Sequence, residues 1–137
     1  MGYNKLRQFT YELPQTLLGL LLSKAYTRNV VDTLMYKDSE VNICKGFPGG
    51  ISLGRYILIS DKYSKYQRNN VIKHEYGHCL QSRKLGWLYL FIIGIPAHII
   101  WAGLYGTLIK KTNNGYYKFF TEKWADKLGG VKRGNIY

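Results

Sequence analysis

Acidic residues, histidines and cysteines are all scarce in this chain of 137 residues. Eight Asp and Glu stand against twenty Lys and Arg, so the formal net charge is +12. This balance favours an anionic partner, either a lipid surface or nucleic acid, although a solvated basic surface has the same composition. The charge is spread along the chain without a recognised nucleic-acid-binding motif, so we expect no specific nucleic acid partner.

The composition excludes general disorder, because 46% of the residues are hydrophobic and 15% are aromatic. There is no internal repeat or low-complexity segment, and the length fits one domain over residues 1–137.

The two cysteines, Cys44 and Cys79, could form a disulfide in principle. Cys79 falls on a predicted helix directly after His78, which favours two reduced thiols in a reducing compartment. A zinc ligand at Cys79 is the less favoured alternative, because its side chain points to a different part of the helix surface from His78.

The N-terminal segment is rich in leucine, but we predict no cleavable signal peptide. Glu12 and Pro14 interrupt the apolar stretch, and no small-residue cleavage site follows it cleanly. Pro14 instead predicts the first turn of an apolar helix over about residues 14–28. Leucines surround much of this helix, which suits either burial or contact with lipid.

Three β-rich runs follow this helix, namely "NVVDTLMY", "EVNIC" and "ISLGRYILIS", and turn-like segments separate them. We expect the runs to form a short antiparallel sheet. A helix over about residues 68–84, capped by Asn69 or Asn70, comes next. Strands followed by helices predict an α+β fold.

The stretch "VIKHEYGHCL", residues 71–80, places two of the three histidines four residues apart on that helix. Residues i and i+4 share one helical face, so His74 and His78 can direct a ring nitrogen at the same zinc ion. Glu75 would border the metal and take a proton from a zinc-activated water. The alternative is a helix with three polar residues on its exposed face, which the scarcity of histidine makes the weaker interpretation.

A catalytic zinc site needs a third protein ligand, with the fourth position open for water. Only two acidic residues follow Glu75, namely Glu122 and Asp126 in "TEKWADKLGG". They are four residues apart on a predicted helix of about residues 116–128. We expect Glu122 to be the third ligand and Asp126 to accept the other ring N–H of a ligand histidine. The alternative is an exposed helix whose acids face neighbouring lysines.

H-E-x-x-H on one helix and E-x-x-x-D on a later helix resemble the gluzincins, the thermolysin-like zinc metallopeptidases. The resemblance covers about residues 51–128. It implies a minimal zincin-like domain with an active-site helix and a ligand helix, which acts on a peptide or protein. In that domain His74, His78 and Glu122 would be ligands, Glu75 the general base and Asp126 the partner of a ligand.

The same resemblance implies that the strand before the active-site helix binds substrate in extended form, as an added β-strand. The residues concerned are the first five of the third β-rich run: Ile51, Ser52, Leu53, Gly54 and Arg55. The chain is also similar to small bacterial or phage-borne predicted metallopeptidases with an HEYGH motif and an apolar insert.

An apolar stretch without Lys, Arg, Asp or Glu spans about residues 85–109. A single membrane crossing there would separate His78 from Glu122 by about 30 Å, although both must lie about 2 Å from one metal ion. "GIP" near its middle and basic pairs at both ends therefore predict an apolar helical hairpin that enters the membrane from the cytoplasmic face. A buried hairpin in a soluble domain and a dimer contact through the same patch are the alternatives.

The third histidine, His98, lies within this apolar stretch. It could donate a hydrogen bond to the oxyanion of a tetrahedral intermediate, or it could be a core or interfacial residue. Tyr116, Tyr117 and Arg55 are further candidates for that donor.

These motifs together predict a zinc-dependent peptidase at a membrane surface. A non-catalytic, zinc-stabilised membrane-binding or interaction module is the alternative. The two hypotheses differ at Glu75, because Glu75→Gln should keep the metal in both but abolish the function of the peptidase alone.

Overall fold

The computed structural model describes residues 6, 10–94 and 120–131, and these form an α+β arrangement of helices around a four-stranded sheet. In chain order the elements are α1 (Leu13–Ala25), β1 (Val30–Tyr36), β2 (Ser39–Cys44), β3 (Gly50–Leu53), β4 (Tyr56–Ser60), α2 (Lys65–Leu85) and α3 (Phe120–Gly129). Two short helical turns complete the list: Thr27–Asn29 comes after α1, and Leu90–Gly94 comes after α2. The α+β class predicted from the sequence is confirmed.

The sheet has the strand order β1-β2-β4-β3 and is mixed, so the prediction of an antiparallel sheet is wrong at its centre. The hairpins β1–β2 and β3–β4 are antiparallel, but β2 and β4 run parallel, with Val41 opposite Ile57. The cause lies at Gly54, whose φ of 61° opens a two-residue turn within the run 51–60 that the sequence suggested as one strand. The chain reverses there, and β4, which lies between β3 and β2, therefore runs parallel to β2.

The hydrophobic core lies on both faces of the two central strands. Its larger cluster joins the sheet to α2, and the buried members are Val41, Ile43, Ile57, Ile59, Val71, Ile72, Tyr76 and Cys79. Leu58 of β4 points to the opposite face, where it belongs to a smaller cluster with Leu22 and Tyr26 at the end of α1. The sheet therefore lies between α2 and α1.

The helix α1 is present with Pro14 in its first turn, as predicted, although it ends at Ala25 rather than near residue 28. Its orientation was not predicted. The side that faces the rest of the protein carries Gln15, Thr16 and Gly19, whereas leucines on the other side are exposed. A helix with leucines outside and polar residues inside is the reverse of the usual pattern.

The helix α2 begins earlier than predicted, because its N-cap is Ser64 and not Asn69 or Asn70. The Ser64 hydroxyl accepts the backbone N–H of Gln67, and the Gln67 side chain accepts the backbone N–H of Ser64. This reciprocal capping box satisfies two backbone donors at the helix start. It extends α2 to 21 residues, so that the two histidines lie near the middle of the helix.

The helices α2 and α3 approach each other backbone to backbone at two glycines. A Cβ at Gly77 would overlap the carbonyl group of Ala125, and a Cβ at Gly129 would overlap that of Lys73. Only glycine permits so close an approach. The contact brings Glu122, in the first turn of α3, towards the middle of α2.

The C-terminal end of α3 differs slightly from the prediction, since the helix includes Gly129. The left-handed residue that ends it is Gly130, with a φ of 73°. The N–H of Val131 donates to the carbonyl oxygen of Asp126 at 2.9 Å, which closes the helix end. The predicted start near residue 116 lies outside the described residues.

Gly77→Ala should destabilise the protein, although alanine is the better helix former by about 1 kcal/mol. The added methyl group would overlap the Ala125 carbonyl, and moving α3 away should cost more than about 2 kcal/mol in the free energy of unfolding. Denaturant unfolding measures the loss. Asn69→Ala, at an exposed position of the same helix, controls for helix propensity and should be neutral or stabilising. If both substitutions raised the free energy of unfolding by a similar amount, the close packing of α2 against α3 at Gly77 would be contradicted.

Only the beginning of the predicted apolar insert lies within the described ranges. α2 ends at Leu85, and Leu90–Gly94 forms a π-helical turn. The predicted hairpin beyond residue 94, with His98, falls outside the described residues. Within residues 6, 10–94 and 120–131, no helix combines the length and the apolar character that a bilayer crossing requires.

Candidate metal centre

The three predicted ligands meet at one point between α2 and α3. His74 Nε2 lies 3.1 Å and His78 Nε2 lies 3.4 Å from the same carboxylate oxygen, Oε2 of Glu122. One ligand atom from each residue lies within 4.8 Å of the others. All three residues are buried, and Glu122 is only 1% exposed. This group could hold a metal ion.

Each histidine is held by a hydrogen bond at its other ring nitrogen. His74 Nδ1 is 2.7 Å from Oδ1 of Asp126, and His78 Nδ1 is 2.7 Å from Oε1 of Gln81. Carboxylate and amide oxygens only accept hydrogen bonds, so Nδ1 carries the hydrogen in both rings. In a neutral ring this leaves the lone pair on Nε2, which is the nitrogen that faces Glu122.

Glu122 is a buried carboxylate with two imidazole rings beside it. Among the described residues, neither of its carboxylate oxygens accepts a well-formed hydrogen bond, and its nearest polar neighbours are Nε2 of His74 and Nε2 of His78. Burial alone would raise the pKa of Glu122, but His74 and then His78 beside it lower the pKa below its usual value. A buried charge of this kind is costly unless a cation balances it. A metal ion at the two ring nitrogens would provide that balance.

In the metal-free chain the same charges attract a proton to His74. Burial would lower the pKa of His74, but Asp126 and then Glu122 outweigh it and raise the pKa to about 9. A proton on the ring supplies part of the positive charge that a metal ion would bring. Proton and metal therefore compete for His74.

The free energy of unfolding of the metal-free protein should fall as the pH rises from 6.5 to about 9. In this window the folded state keeps a proton on His74 that the unfolded state has lost, so the stabilising contribution is complete below the window and absent above it. Zinc should reverse the trend, because it binds the deprotonated ring. Urea unfolding in a chelating buffer measures the slope.

Asp126→Asn is the control for this pH dependence, because it removes the largest of the contacts that raise the pKa of His74. In this variant the free energy of unfolding of the metal-free protein should change less with pH over the same range. A metal-free stability that rises with pH in both proteins would contradict the assignment of the proton to His74.

Glu75 directly follows His74 on α2, and its carboxylate lies against the start of β3. It is 6% exposed, and a Cβ at Gly50 would lie 2.5 Å from its Oε1 atom. A glycine at the first position of the strand therefore leaves the space that the Glu75 carboxylate occupies. The acid predicted as general base and the strand predicted to bind substrate are thus in contact.

The five residues predicted to bind substrate fall into two parts. Ile51, Ser52 and Leu53 belong to β3, whereas Gly54 and Arg55 form the turn to β4. The turn lies at the end of β3 opposite Gly50, and α1 packs against it through Thr16. The structure therefore brings the start of β3, and not the turn, next to Glu75.

Cys79 is not part of the metal group. Its Sγ atom lies 3.0 Å from the hydroxyl of Ser52, and burial raises the pKa of its thiol to about 11. Neither Cys79 nor Cys44 forms a disulfide, in agreement with the predicted reduced thiols. The predicted oxyanion donors His98, Tyr116 and Tyr117 fall outside the described residues.

Comparison of the chain with protein-family models, with curated proteins and with solved structures found no match. A functional proposal consequently rests on the residues of this chain and on their geometry.

Two features of the site were missed from the sequence. Gln81 follows His78 by three residues, so the two side chains are neighbours on the helix surface, and this spacing could have identified it. Gly50 and Gly77 act through contacts with residues far away in the chain, and no local pattern distinguishes them from other glycines.

Proposed function

We propose that this protein is a zinc-dependent peptidase. The observation that carries the proposal is the convergence of His74 Nε2, His78 Nε2 and Glu122 Oε2 in a buried position, together with the buried Glu75 that directly follows His74 on α2. Two imidazoles and one carboxylate are a ligand set of hydrolytic zinc, and three protein ligands leave a fourth position for water.

The same ligand set also suits non-haem iron(II) in oxygen chemistry. Glu75 favours zinc and hydrolysis, because a buried carboxylate beside the ligands can act as the base that hydrolysis requires. Glu75 directly follows the ligand His74 on α2, so the rigid helix keeps the two residues at a constant separation.

The roles of the residues follow from these contacts. His74, His78 and Glu122 would hold the zinc ion, and Asp126 and Gln81 orient the two imidazoles so that Nε2 of each faces Glu122. Bound zinc supplies a Lewis acid that makes water acidic enough to be deprotonated near neutral pH. Glu75 takes the proton from the attacking water and then delivers it to the amine that leaves.

The peptide substrate is proposed to bind along the open edge of β3. In the described ranges β3 is the last strand of the sheet, with β4 on one side only. Ser60 N–H donates to the carbonyl oxygen of Gly49 at 2.7 Å, so in the alternating ladder the backbone groups of Gly50 and Ser52 point away from β4. An extended peptide that paired with them would pass Glu75.

The experiment that tests this function is hydrolysis of a quenched fluorescent peptide library by zinc-loaded protein and by its Glu75→Gln variant. Zinc binding without any hydrolysis that depends on Glu75 would favour the non-catalytic, zinc-stabilised module instead.

A further inference from the structure

We propose that the exposed leucine face of α1 and the apolar residues that follow α2 form one surface that binds an anionic lipid bilayer. On α1 this face consists of Leu13, Leu17, Leu18 and Leu21, which are 38%, 45%, 47% and 62% exposed. The polar residues Gln15 and Thr16 occupy the buried side of the same helix. A helix with its apolar side in water is unfavourable, so a group of exposed leucines indicates that a partner covers them.

The second part of the surface follows the end of α2. Its members are Trp87, Leu88, Phe91 and Ile92, which are 60%, 53%, 65% and 41% exposed. Side chains of this size are usually exposed singly, and a group of them within six residues marks an interaction site. Tryptophan is also one of the two aromatic residues that are enriched at the membrane–water interface.

Hydrogen bonds join the start of α1 to the end of α2, and thus the two segments that carry these apolar residues. Gln15 Nε2 donates to the carbonyl oxygen of Gly86 at 2.7 Å, and Tyr11 Oη donates to that of Lys84 at 3.2 Å. Gly86 also lacks space for a Cβ because the ring of Tyr11 packs against it. The first turn of α1 is therefore fixed to the end of α2, directly before Trp87. We call the eight apolar residues of both parts the lipid-docking surface.

The charge around this surface selects the partner. All eight acids of the chain lie within the described residues, and four of them, Glu12, Glu75, Glu122 and Asp126, are buried. Exposed bases, by contrast, adjoin the docking surface at Lys24, Arg28 and Lys84. An apolar surface with a basic border matches a bilayer that contains anionic lipid.

The same charge argues against a second copy of this chain as the partner. Two molecules with a net charge of +12 each repel one another, and the basic border would bring like charges together. Nucleic acid would satisfy the bases, but it would leave eight large apolar side chains in water.

The proposed docking fixes the metal centre relative to the membrane. The Ser82 hydroxyl donates to Glu12 and accepts from Gln15 Nε2 at 3.0 Å, and both partners come from the start of α1. Ser82 is one turn along α2 from His78. α1 therefore connects the lipid-docking surface to the helix that carries the two histidines.

The experiment is flotation of the full chain with vesicles of phosphatidylcholine, with and without 30% phosphatidylglycerol. Leu17→Gln combined with Leu21→Gln should weaken binding to the anionic vesicles at least tenfold. Val31→Gln combined with Met35→Gln, at positions on β1 that are 58% and 56% exposed, is the matched control and should leave binding unchanged. Lys24→Gln combined with Arg28→Gln should weaken binding about 25-fold, and only for the anionic vesicles.

Three results would overturn the proposal. Equal binding by the leucine variant and its control would place the membrane contact elsewhere. A large loss of thermal stability in the leucine variant, but not in the control, would show that another part of this chain covers the leucines. A change in sedimentation from dimer to monomer in that variant would identify a second copy as the occupant. None of these readouts depends on peptidase activity or on zinc.

Discussion

Glu122→Ala should lower the zinc content of the purified protein from about one ion per chain to nearly none. Glu122 contributes the only carboxylate of the group that converges on one point between α2 and α3. Without it the two histidines would be the remaining protein ligands, and the negative charge that attracts a cation to this buried position would be lost. Removal of a residue that merely orients a ligand lowers affinity 10–100-fold, so loss of the ligand itself should exceed about 100-fold.

Elemental analysis of protein purified in mild detergent, without added metal, measures this loss. Glu40→Ala is the matched control, because Glu40 is half-buried on β2 and contacts Asn42 rather than the histidines. The control should retain its zinc. If Glu122→Ala retained one zinc ion per chain with unchanged affinity, the assignment of Glu122 as a ligand would be wrong and α3 would have another role.

The ligand group was predictable because it depends on little more than helix geometry and on the small number of histidines and acidic residues in the chain. The spacing of four residues from His74 to His78 places both on one helical face wherever the helix lies in the fold. Glu122 and Asp126 are the last two acids in the chain, so few candidates for a third ligand existed. What could not be predicted is how α3 reaches α2, since that depends on backbone contacts at Gly77 and Gly129.

The sheet was predicted less well, because strand direction depends on pairing between distant segments. Gly54 stands in the middle of a β-rich run, where a glycine fits either a bulge or a turn. Its φ of 61° and the pairing of Leu53 with Tyr56 identify the turn. The turn explains the strand direction, because β4 runs opposite to β3 and therefore pairs with β2 in the parallel direction.

The orientation of α1 was unpredictable for a related reason. Leucines surround most of its circumference, so the pattern contains no clear apolar stripe that would select the inner side. The selection comes from Gln15, which contacts Ser82 and Gly86, and from Gly19, where a Cβ would overlap the backbone of Leu53. Because Gln15 and Gly19 make these contacts, their side of α1 faces the rest of the protein and the leucines on the other side are exposed.

Glu75→Gln should leave zinc binding unchanged and lower peptide hydrolysis by about 10²–10⁴-fold. Glutamine has nearly the same shape as glutamate, so its side chain fits the space beside Gly50. It does not replace any of the three ligand atoms that converge on the metal position. An amide cannot accept the proton of the attacking water, so the chemical step should lose its base while the site remains assembled.

Asp126→Asn gives the contrasting pattern that makes the Glu75 result specific. Asp126 acts through the ring of His74, so its loss should lower zinc affinity 10–100-fold, and excess zinc should restore much of the hydrolysis. Excess zinc should restore nothing in Glu75→Gln. Parallel loss of zinc and hydrolysis in Glu75→Gln would make Glu75 a ligand rather than a base. Unchanged hydrolysis in that variant would remove Glu75 from the mechanism and, with it, the argument that the metal centre cleaves peptides.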